Sequence, residues 1–154
     1  MKTMADAFHH TLKDIYYAEN ALTKAIPKMI EAAPEGDMRT AFKDHLKETK
    51  EHVKLLKQVF KTIDKTAEGE KCDAIEGLIK ETESIIEEAS GKALGACLIG
   101  AAQAIEHYEI ARYGTLRQWA KEQKNDEAHD LLSQILDMEK AANAKLTGIA
   151  VSKA

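Results

Sequence analysis

Several glutamates of this chain lie where a helix normally carries an apolar residue. At about 100° per residue, Glu19, Glu109 and Glu139 fall inside the apolar stripes of three different helical segments. Glu48 and Glu106 fall on the flanks of their stripes, where a helical bundle still places side chains between neighbouring helices. Buried carboxylates repel one another, and they are stabilised either by protonation or by a bound cation. The pattern therefore indicates a carboxylate-rich metal site.

The heights of these glutamates along their helices agree with that interpretation. Counting back from the first predicted turn brings Glu48 level with Glu19, and counting back from the last predicted turn brings Glu109 level with Glu139. Each of the four lies near the middle of its helix. We therefore expect their carboxylates to converge in one layer of the core.

Two histidines of the second helical segment lie near the centre of its apolar stripe. His52 follows Glu48 by four residues and His45 precedes it by three, so either one could supply an imidazole ligand. Carboxylates together with imidazole suit Fe or Mn. The alternative is a non-enzymatic structural bundle or interaction scaffold. Arg112 lies on the inward stripe one turn beyond Glu109, and it could form a buried ion-pair network with the carboxylates instead.

The rest of the sequence predicts helices that position these side chains. Apolar residues recur at the i, i+3, i+4 and i+7 spacing, and no stretch alternates as a strand does. The predicted helices span residues 3 to 33, 37 to 63 with Asp37 as N-cap, 72 to 89, 92 to 123 and 127 to 151. Tight turns join the first two and the last two into antiparallel hairpins, and the short third helix carries the chain between them. We predict one all-α domain over residues 1 to 154, a four-helix bundle with a short additional crossover helix.

Composition and charge limit the function classes. The chain has 154 residues, of which 31% are charged and 5% aromatic, and its net charge is -4. Lysines are interleaved with acidic residues, so there is no basic stripe for nucleic acid. No apolar run reaches the roughly 20 residues that span a bilayer, and the N-terminal residues lack the apolar centre of a signal peptide. We therefore expect a cytoplasmic protein without nucleic-acid or membrane partners.

Two further expectations concern the thiols and the surface. Cys72 and Cys97 are predicted to be free, and Cys97 to be buried, because small residues surround it in the sequence. Leu55, Ile110 and Tyr113 fall outside the main apolar stripes, which predicts a second apolar face. Such a face favours a homodimer.

Four segments carry the carboxylates and connect this chain with a known family. They are DIYYAENALTKAIPKM, AFKDHLKETKEHVKLL, KCDAIEGLIKE and AAQAIEHYEIARYGTL. They resemble the YciE/YciF family of bacterial ferritin-like stress proteins, and the likeness covers nearly the whole chain. The last segment, with Glu106 and Glu109 three residues apart, is also similar to the third bundle helix of rubrerythrins, where two such glutamates serve a di-iron site.

The resemblance implies a ferritin-like bundle with a dinuclear Fe or Mn site and a role in stress responses. Oxidase, peroxidase or catalase-like chemistry is the reaction class that it suggests. The resemblance selects the five glutamates as ligands, and the spacing on the second helix adds an imidazole. The expected ligands are Glu19, Glu48, His52, Glu106, Glu109 and Glu139.

The chain departs from the general ferritin-like pattern at two positions. In that pattern a histidine follows a ligand glutamate by three residues on each of two helices. Here Glu51 stands three residues after Glu48, and Ala142 stands three residues after Glu139, so neither pair is intact. A histidine of the second helix is therefore expected to supply the imidazole, and Asn143 could add an amide oxygen.

Overall fold

The computed structural model describes residues 1 to 152 of the chain, and these residues form five α-helices. The helices are α1 (Met4–Ala32), α2 (Asp37–Thr62), α3 (Asp73–Glu88), α4 (Gly91–Glu122) and α5 (Asp126–Ser152). Within the described range there is no strand. The prediction of four long helices and one short helix is confirmed, and each predicted boundary lies within one residue of the observed one.

The four long helices pack into a bundle, and the short helix closes one side of it. α1 packs on α2 and α4 packs on α5, as expected for the two hairpins. α2 also packs on α5, and α1 on α4. The short α3 contacts both α1 and α4, so it lies over the seam between the two hairpins. This arrangement brings four long helices around one core layer.

The connection from α2 to α3 runs across α1 and is fixed there by a close backbone approach. The Glu70 N–H donates to the Lys13 carbonyl oxygen over 3.3 Å. A Cβ atom placed on Gly69 would lie 3.0 Å from the Tyr17 Cβ and 3.1 Å from its Cα. Only glycine fits at this contact without a shift of one of the two segments.

The start of α2 differs from the prediction by one position. Gly36 is the N-cap, with φ of 110°, and Asp37 is the first helical residue. That backbone conformation is unfavourable for residues with a Cβ, which explains why glycine takes the cap. Asp37 remains in the first turn, where its charge interacts favourably with the helix dipole.

The predicted second apolar face does not exist. Leu55 and Tyr113 are 5% and 0% exposed, and Ile110 is half-buried against the core. The prediction failed because α2 and α4 each pack against more than one neighbouring helix, which widens their buried faces. In the described part of the chain, the exposed large hydrophobic residues are Met1, Met4 and Val151. The surface argument for a homodimer is therefore wrong, and the homodimer itself stays a prediction that light scattering would test.

The two cysteines are both free, as predicted, but only one of them is buried. Cys72 lies at the start of α3, with its Sγ 2.9 Å from the Tyr108 hydroxyl. Cys97 is exposed on α4, so the expectation of a buried thiol there was wrong. Small neighbours in the sequence did not identify the buried side of the helix, because Leu98 and Gly95 face inward while Cys97 faces outward. None of the described helices is long and apolar enough to cross a membrane.

Candidate metal centre

Four glutamates lie in the middle of the bundle with almost no exposure to solvent. Glu19 of α1, Glu109 of α4 and Glu139 of α5 are 0% exposed, and Glu106 of α4 is 1% exposed. The buried residues of the described chain include no lysine or arginine. The charge of these carboxylates must therefore be balanced by protons, by histidine or by a cation.

His52 of α2 lies between two of these carboxylates. Its Nδ1 is 3.2 Å from Glu19 Oε1 and 3.1 Å from Glu139 Oε1, and its side chain is fully buried. Burial disfavours the imidazolium, but the two carboxylates outweigh burial and raise the pKa of His52 to about 10. One atom from each of the three residues lies within 4.8 Å of the others, a spacing that could hold a metal ion.

A second group of ligand type lies beside the first and shares one member with it. His45 Nδ1 is 3.3 Å from Glu106 Oε1, and the His45 side chain is 12% exposed. His45, Glu106 and Glu139 each offer one atom within 4.8 Å of the others. Glu139 therefore belongs to both groups. A carboxylate shared between two sets of ligand residues could take part in holding two metal ions side by side.

The electrostatics of this layer reflect its crowding. Burial, together with the charge of Glu139, raises the pKa of Glu106 to about 11. Burial and then the charges of Glu139 and Glu19 raise the pKa of Glu109 as well. Burial also disfavours the Glu139 carboxylate, but the contact with His52 outweighs it and lowers the pKa of Glu139. Without a cation, burial and the neighbouring carboxylates therefore favour the protonated forms of Glu106 and Glu109.

Unpaired polar atoms are concentrated in this layer. Eleven buried side-chain N and O atoms of the described residues lack a hydrogen-bond partner. Nine of them belong to six residues, namely Glu19, His45, His52, Glu106, Glu109 and Glu139. Three of the nine, His45 Nδ1, His52 Nδ1 and Glu139 Oε1, are in the ion-pair contacts given above, and the other six have no such contact. Native proteins rarely leave so many buried polar atoms unpaired in one place. The oxygen and imidazole donors present here fit Fe or Mn. Glu109 belongs to neither group of three, and both of its oxygens lack a hydrogen-bond partner.

The remaining predicted residues occupy other positions around this layer. Glu48 is half-buried, belongs to neither group of three, and lines a cavity beside His45 and Glu106. Arg112 lies with its guanidinium carbon 5.3 Å from the centre of the Tyr108 ring. Arg112 takes part in none of the ion pairs found in residues 1 to 152. The buried network expected from Arg112 is therefore wrong.

Two features of the layer were not predicted from the sequence. The Tyr113 hydroxyl donates a hydrogen bond to Glu19 Oε1 in the buried core. Tyr113 follows Glu109 by one helical turn, and a buried tyrosine hydroxyl usually needs such an acceptor, which is the signal that could have identified it. Both His45 and His52 approach the glutamates, where the sequence left the choice between them open. Asn143 instead accepts a hydrogen bond from Gln103 Nε2 at 3.2 Å.

Comparison with known proteins identifies the family. The model of a domain of unknown function, DUF892, matches residues 3 to 154. The chain belongs to the DUF892 family. It is 40% identical to protein YciF of Escherichia coli strain K12 over 154 residues, which are 99% of this chain and 93% of YciF. The predicted membership of the YciF-type stress proteins is thereby confirmed.

Two solved structures of similar proteins share the bundle. The crystal structure of the E. coli stress protein YciF superposes with a TM-score of 0.94 and 40% identity, over 98% of this chain and 96% of that chain. YcfI of Rhodopseudomonas palustris, described as a candidate structural protein, superposes with a TM-score of 0.91 and 48% identity, over 95% and 94% of the two chains. The bundle described above is therefore shared with both of these proteins.

Proposed function

We propose that this DUF892 protein is a metal-binding stress-response protein that holds two Fe or Mn ions in the layer of buried glutamates. The observation that carries the proposal is that Glu139 belongs to both groups of three residues, in each of which the potential ligand atoms lie within 4.8 Å of one another. In this assignment Glu19, His52 and Glu139 would hold one ion, and His45, Glu106 and Glu139 would hold the other.

The remaining carboxylates complete the donor set. Glu109 is fully buried and offers both oxygens. Glu48 lies at the half-exposed edge beside Glu106, whose pKa its charge helps to raise. Two divalent cations would offset four of the five carboxylate charges, so the layer would be close to neutral without any buried lysine or arginine.

The bound ions would supply redox chemistry toward peroxide or dioxygen. The chain's own residues contribute positioning and exclusion of water. His52 and Glu19 are 0% exposed, so solvent does not compete for that position. Tyr113 holds the Glu19 carboxylate in place and stays a neutral donor, because burial raises its pKa well above the ordinary tyrosine value. The role in stress is proposed from the similarity to YciF, which is described as a stress protein.

A structural role is the second candidate, and the contacts of His52 favour it. In the absence of a metal, protonated His52 pairs with both Glu19 and Glu139, which would serve as a buried ion-pair cluster. The two candidates differ in metal content. Protein purified without chelator and reconstituted anaerobically with Fe or Mn should hold about two equivalents by mass spectrometry of the metal. Less than a tenth of an equivalent of any transition metal, even after reconstitution, would reject the metal-binding function.

Glu139→Gln sharpens this test, because only Glu139 belongs to both groups. The variant keeps the volume of the side chain but removes the carboxylate that the two groups share, so the binding of both ions should be lost or much weakened. Glu76→Gln is the matched control, because Glu76 is exposed on α3 and bonds to the Tyr17 hydroxyl. The control should retain the metal content of the parent.

A further inference from the structure

A cavity of about 120 Å³ lies beside the second group of ligand residues, between the long helices of the bundle. Ten of its fifteen lining residues are apolar, among them Leu22, Ile26 and Phe42. One wall is polar and consists of His45, Glu48 and Glu106. The cavity is thus a mostly apolar space with one inner polar side, which faces the proposed metal centre, and Asp44 and Lys145 are its other polar lining residues.

The cavity is present because small residues stand where larger ones would fill it. Ala142 of α5 lines it, at the position three residues after Glu139 where the general ferritin-like pattern carries a histidine. Ala102 of the neighbouring helix α4 lines it as well. The absent histidine side chain is replaced by His52, which reaches Glu139 from α2. The chain therefore keeps an imidazole beside Glu139 and gains open space next to it.

The cavity opens to solvent between α2 and α5. Asp44 and Lys145 both line it, and their side chains are 42% and 49% exposed. Lys145 Nζ lies 2.8 Å from Asp44 Oδ2, so the pair crosses the opening from one helix to the other. An exposed pair of this kind is weak and can open readily. A small molecule therefore has a route from solvent to the interior.

We propose that this cavity binds a short-chain alkyl compound with one terminal O–H group, the apolar chain lying against Leu22, Ile26 and Phe42. The O–H group would donate a hydrogen bond to the carboxylate wall formed by Glu48 and Glu106, where Glu106 Oε2 has no partner. The interpretation of the cavity as a substrate site beside a metal centre rests on the proposed function. The binding of the compound in the cavity does not depend on that function.

Size and lining select this class of ligand. A dry cavity of about 150 Å³ lined by leucine, isoleucine and phenylalanine holds benzene, so a space of about 120 Å³ suits roughly five or six non-hydrogen atoms. A fully polar molecule of that size would lose its hydrogen bonds along the apolar walls. An alkyl alcohol or hydroperoxide leaves only its terminal oxygen to be satisfied, and the single polar wall satisfies it.

The test uses 1-butanol as the probe, with NMR chemical-shift titration of the metal-free and the metal-loaded protein. Parent protein should give saturable shifts for residues lining the cavity. Diethyl ether has the same atoms as 1-butanol but no O–H donor, and it should bind about tenfold more weakly, as expected for the loss of one hydrogen bond. Glycerol, which is of similar size and polar throughout, should give no saturable shift.

Ala142→Leu fills the cavity without offering a metal ligand and should abolish the saturable shifts. Ala144→Leu is the matched control, because Ala144 is exposed on the same helix and does not line the cavity. It should titrate as the parent does. Ala102→Val fills the same space from α4, and it replaces Ala142→Leu in the test if that variant proves less helical by circular dichroism. Failure of the parent to bind 1-butanol, or unchanged binding in both filled variants, would overturn the cavity proposal.

Metal content measured on the same samples separates this proposal from the proposed function. Absence of saturable butanol binding in the parent protein, with two metal equivalents present, refutes the cavity proposal alone. Saturable butanol binding in protein that takes up no metal refutes the metal centre and leaves the cavity as a ligand site of other use.

Discussion

Replacing Glu19 by glutamine tests the link between the buried carboxylates and metal binding. Glu19→Gln removes one negative charge and a strong metal ligand but keeps the side-chain volume. It also keeps an oxygen that can accept the hydrogen bond from Tyr113. His52 retains Glu139 at 3.1 Å, so no unpaired buried charge is created. The variant therefore changes the ligand set with little disturbance of packing.

The expected magnitude follows from the linkage of metal binding to folding. A metal present at about 100 times its Kd stabilises the folded state by about 2.7 kcal/mol per site. For a chain of this length, 1 kcal/mol corresponds to about 2 to 4 °C in Tm, so each bound ion should raise Tm by roughly 5 to 11 °C. Glu19 belongs to the group that contains His52 and not to the group that contains His45. Glu19→Gln should therefore lose the contribution of one ion and keep much of the other.

In chelator the two proteins should differ much less than they do with metal. The variant loses one partner of His52, but it also relieves the charge repulsion that Glu19 exerts on Glu109 and Glu106. Replacement of a buried charge by a neutral group of similar shape is often neutral or stabilising. We expect the Tm values in chelator to agree within a few degrees, an effect of about 1 kcal/mol.

The assay is thermal unfolding with and without chelator, together with metal content, for the parent, Glu19→Gln and Glu51→Gln. Glu51 pairs with Lys54 on the half-exposed outer side of α2, so its variant controls for loss of one carboxylate. Glu51→Gln should behave as the parent in both unfolding measurements and in metal content. If Glu19→Gln and the parent show the same response to chelator and hold the same amount of metal, the assignment of Glu19 as a ligand is refuted.

Three further outcomes are expected from thermal unfolding. In chelator, Tm should fall from pH 5 to pH 9. Folding raises the pKa of Glu106 to about 11, so above about pH 4.5 the folded chain keeps a proton there that the unfolded chain loses, and stability declines as pH rises. Folding also raises the pKa of His52, so its stabilisation is full below about pH 6.5 and declines toward pH 10. A rise of Tm over this range would contradict these pKa values. Gly69→Ala should destabilise the protein by about 1 to 3 kcal/mol, because the new Cβ would crowd α1. Gly77→Ala on α3 meets open space and should stabilise the protein by about 0.5 to 1 kcal/mol. Equal effects of the two substitutions would contradict the close approach at Gly69. Thr3→Ala should cost about 1 kcal/mol, because Thr3 and Asp6 form a capping box at α1; an unchanged Tm would show that this end frays.

Most of the fold could be predicted from the sequence because its signals are local. The stop near Gly36, the break at Gly91 and the turn at Asn125 each end or begin a helix through backbone preferences of a few residues. Gly36 and Gly91 both adopt positive φ. The Asn125 side chain accepts a hydrogen bond from the Ala128 N–H at the start of α5. Such features do not depend on how the helices later pack.

The site could be predicted only in part, because its details depend on packing between helices. A glutamate inside an apolar stripe is visible in one helix alone, and the structure places Glu19, Glu109 and Glu139 in the core layer. The choice between His45 and His52 depends on how α2 packs against α5, which a single helix does not encode. Both histidines reach the layer: His52 lies beside Glu19 and Glu139, and His45 lies beside Glu106 and Glu139.

The burial of Tyr113 also depends on packing between helices and could not be predicted from the sequence of α4 alone. α4 contacts α1, α3 and α5, so its buried residues extend around much of the helix. A residue outside the main stripe of such a helix can still be fully buried, which is why the sequence analysis placed Tyr113 on the surface. The hydroxyl group then becomes the useful signal, since a buried donor needs a partner and the nearest unpaired acceptors are the glutamates.

The departure of this chain from the ferritin-like pattern at Ala142 has a structural counterpart in the α2–α5 interface. Ala142 removes the imidazole that would follow Glu139 on α5, and His52 supplies an imidazole to the same carboxylate from α2. The exchange preserves the donor type at Glu139 while it opens a cavity at Ala142. A histidine at position 142 would fill that space and offer a nitrogen that His52 already provides. The position of the imidazole and the presence of the cavity are therefore coupled, and a change of either one in this bundle should be accompanied by a change of the other.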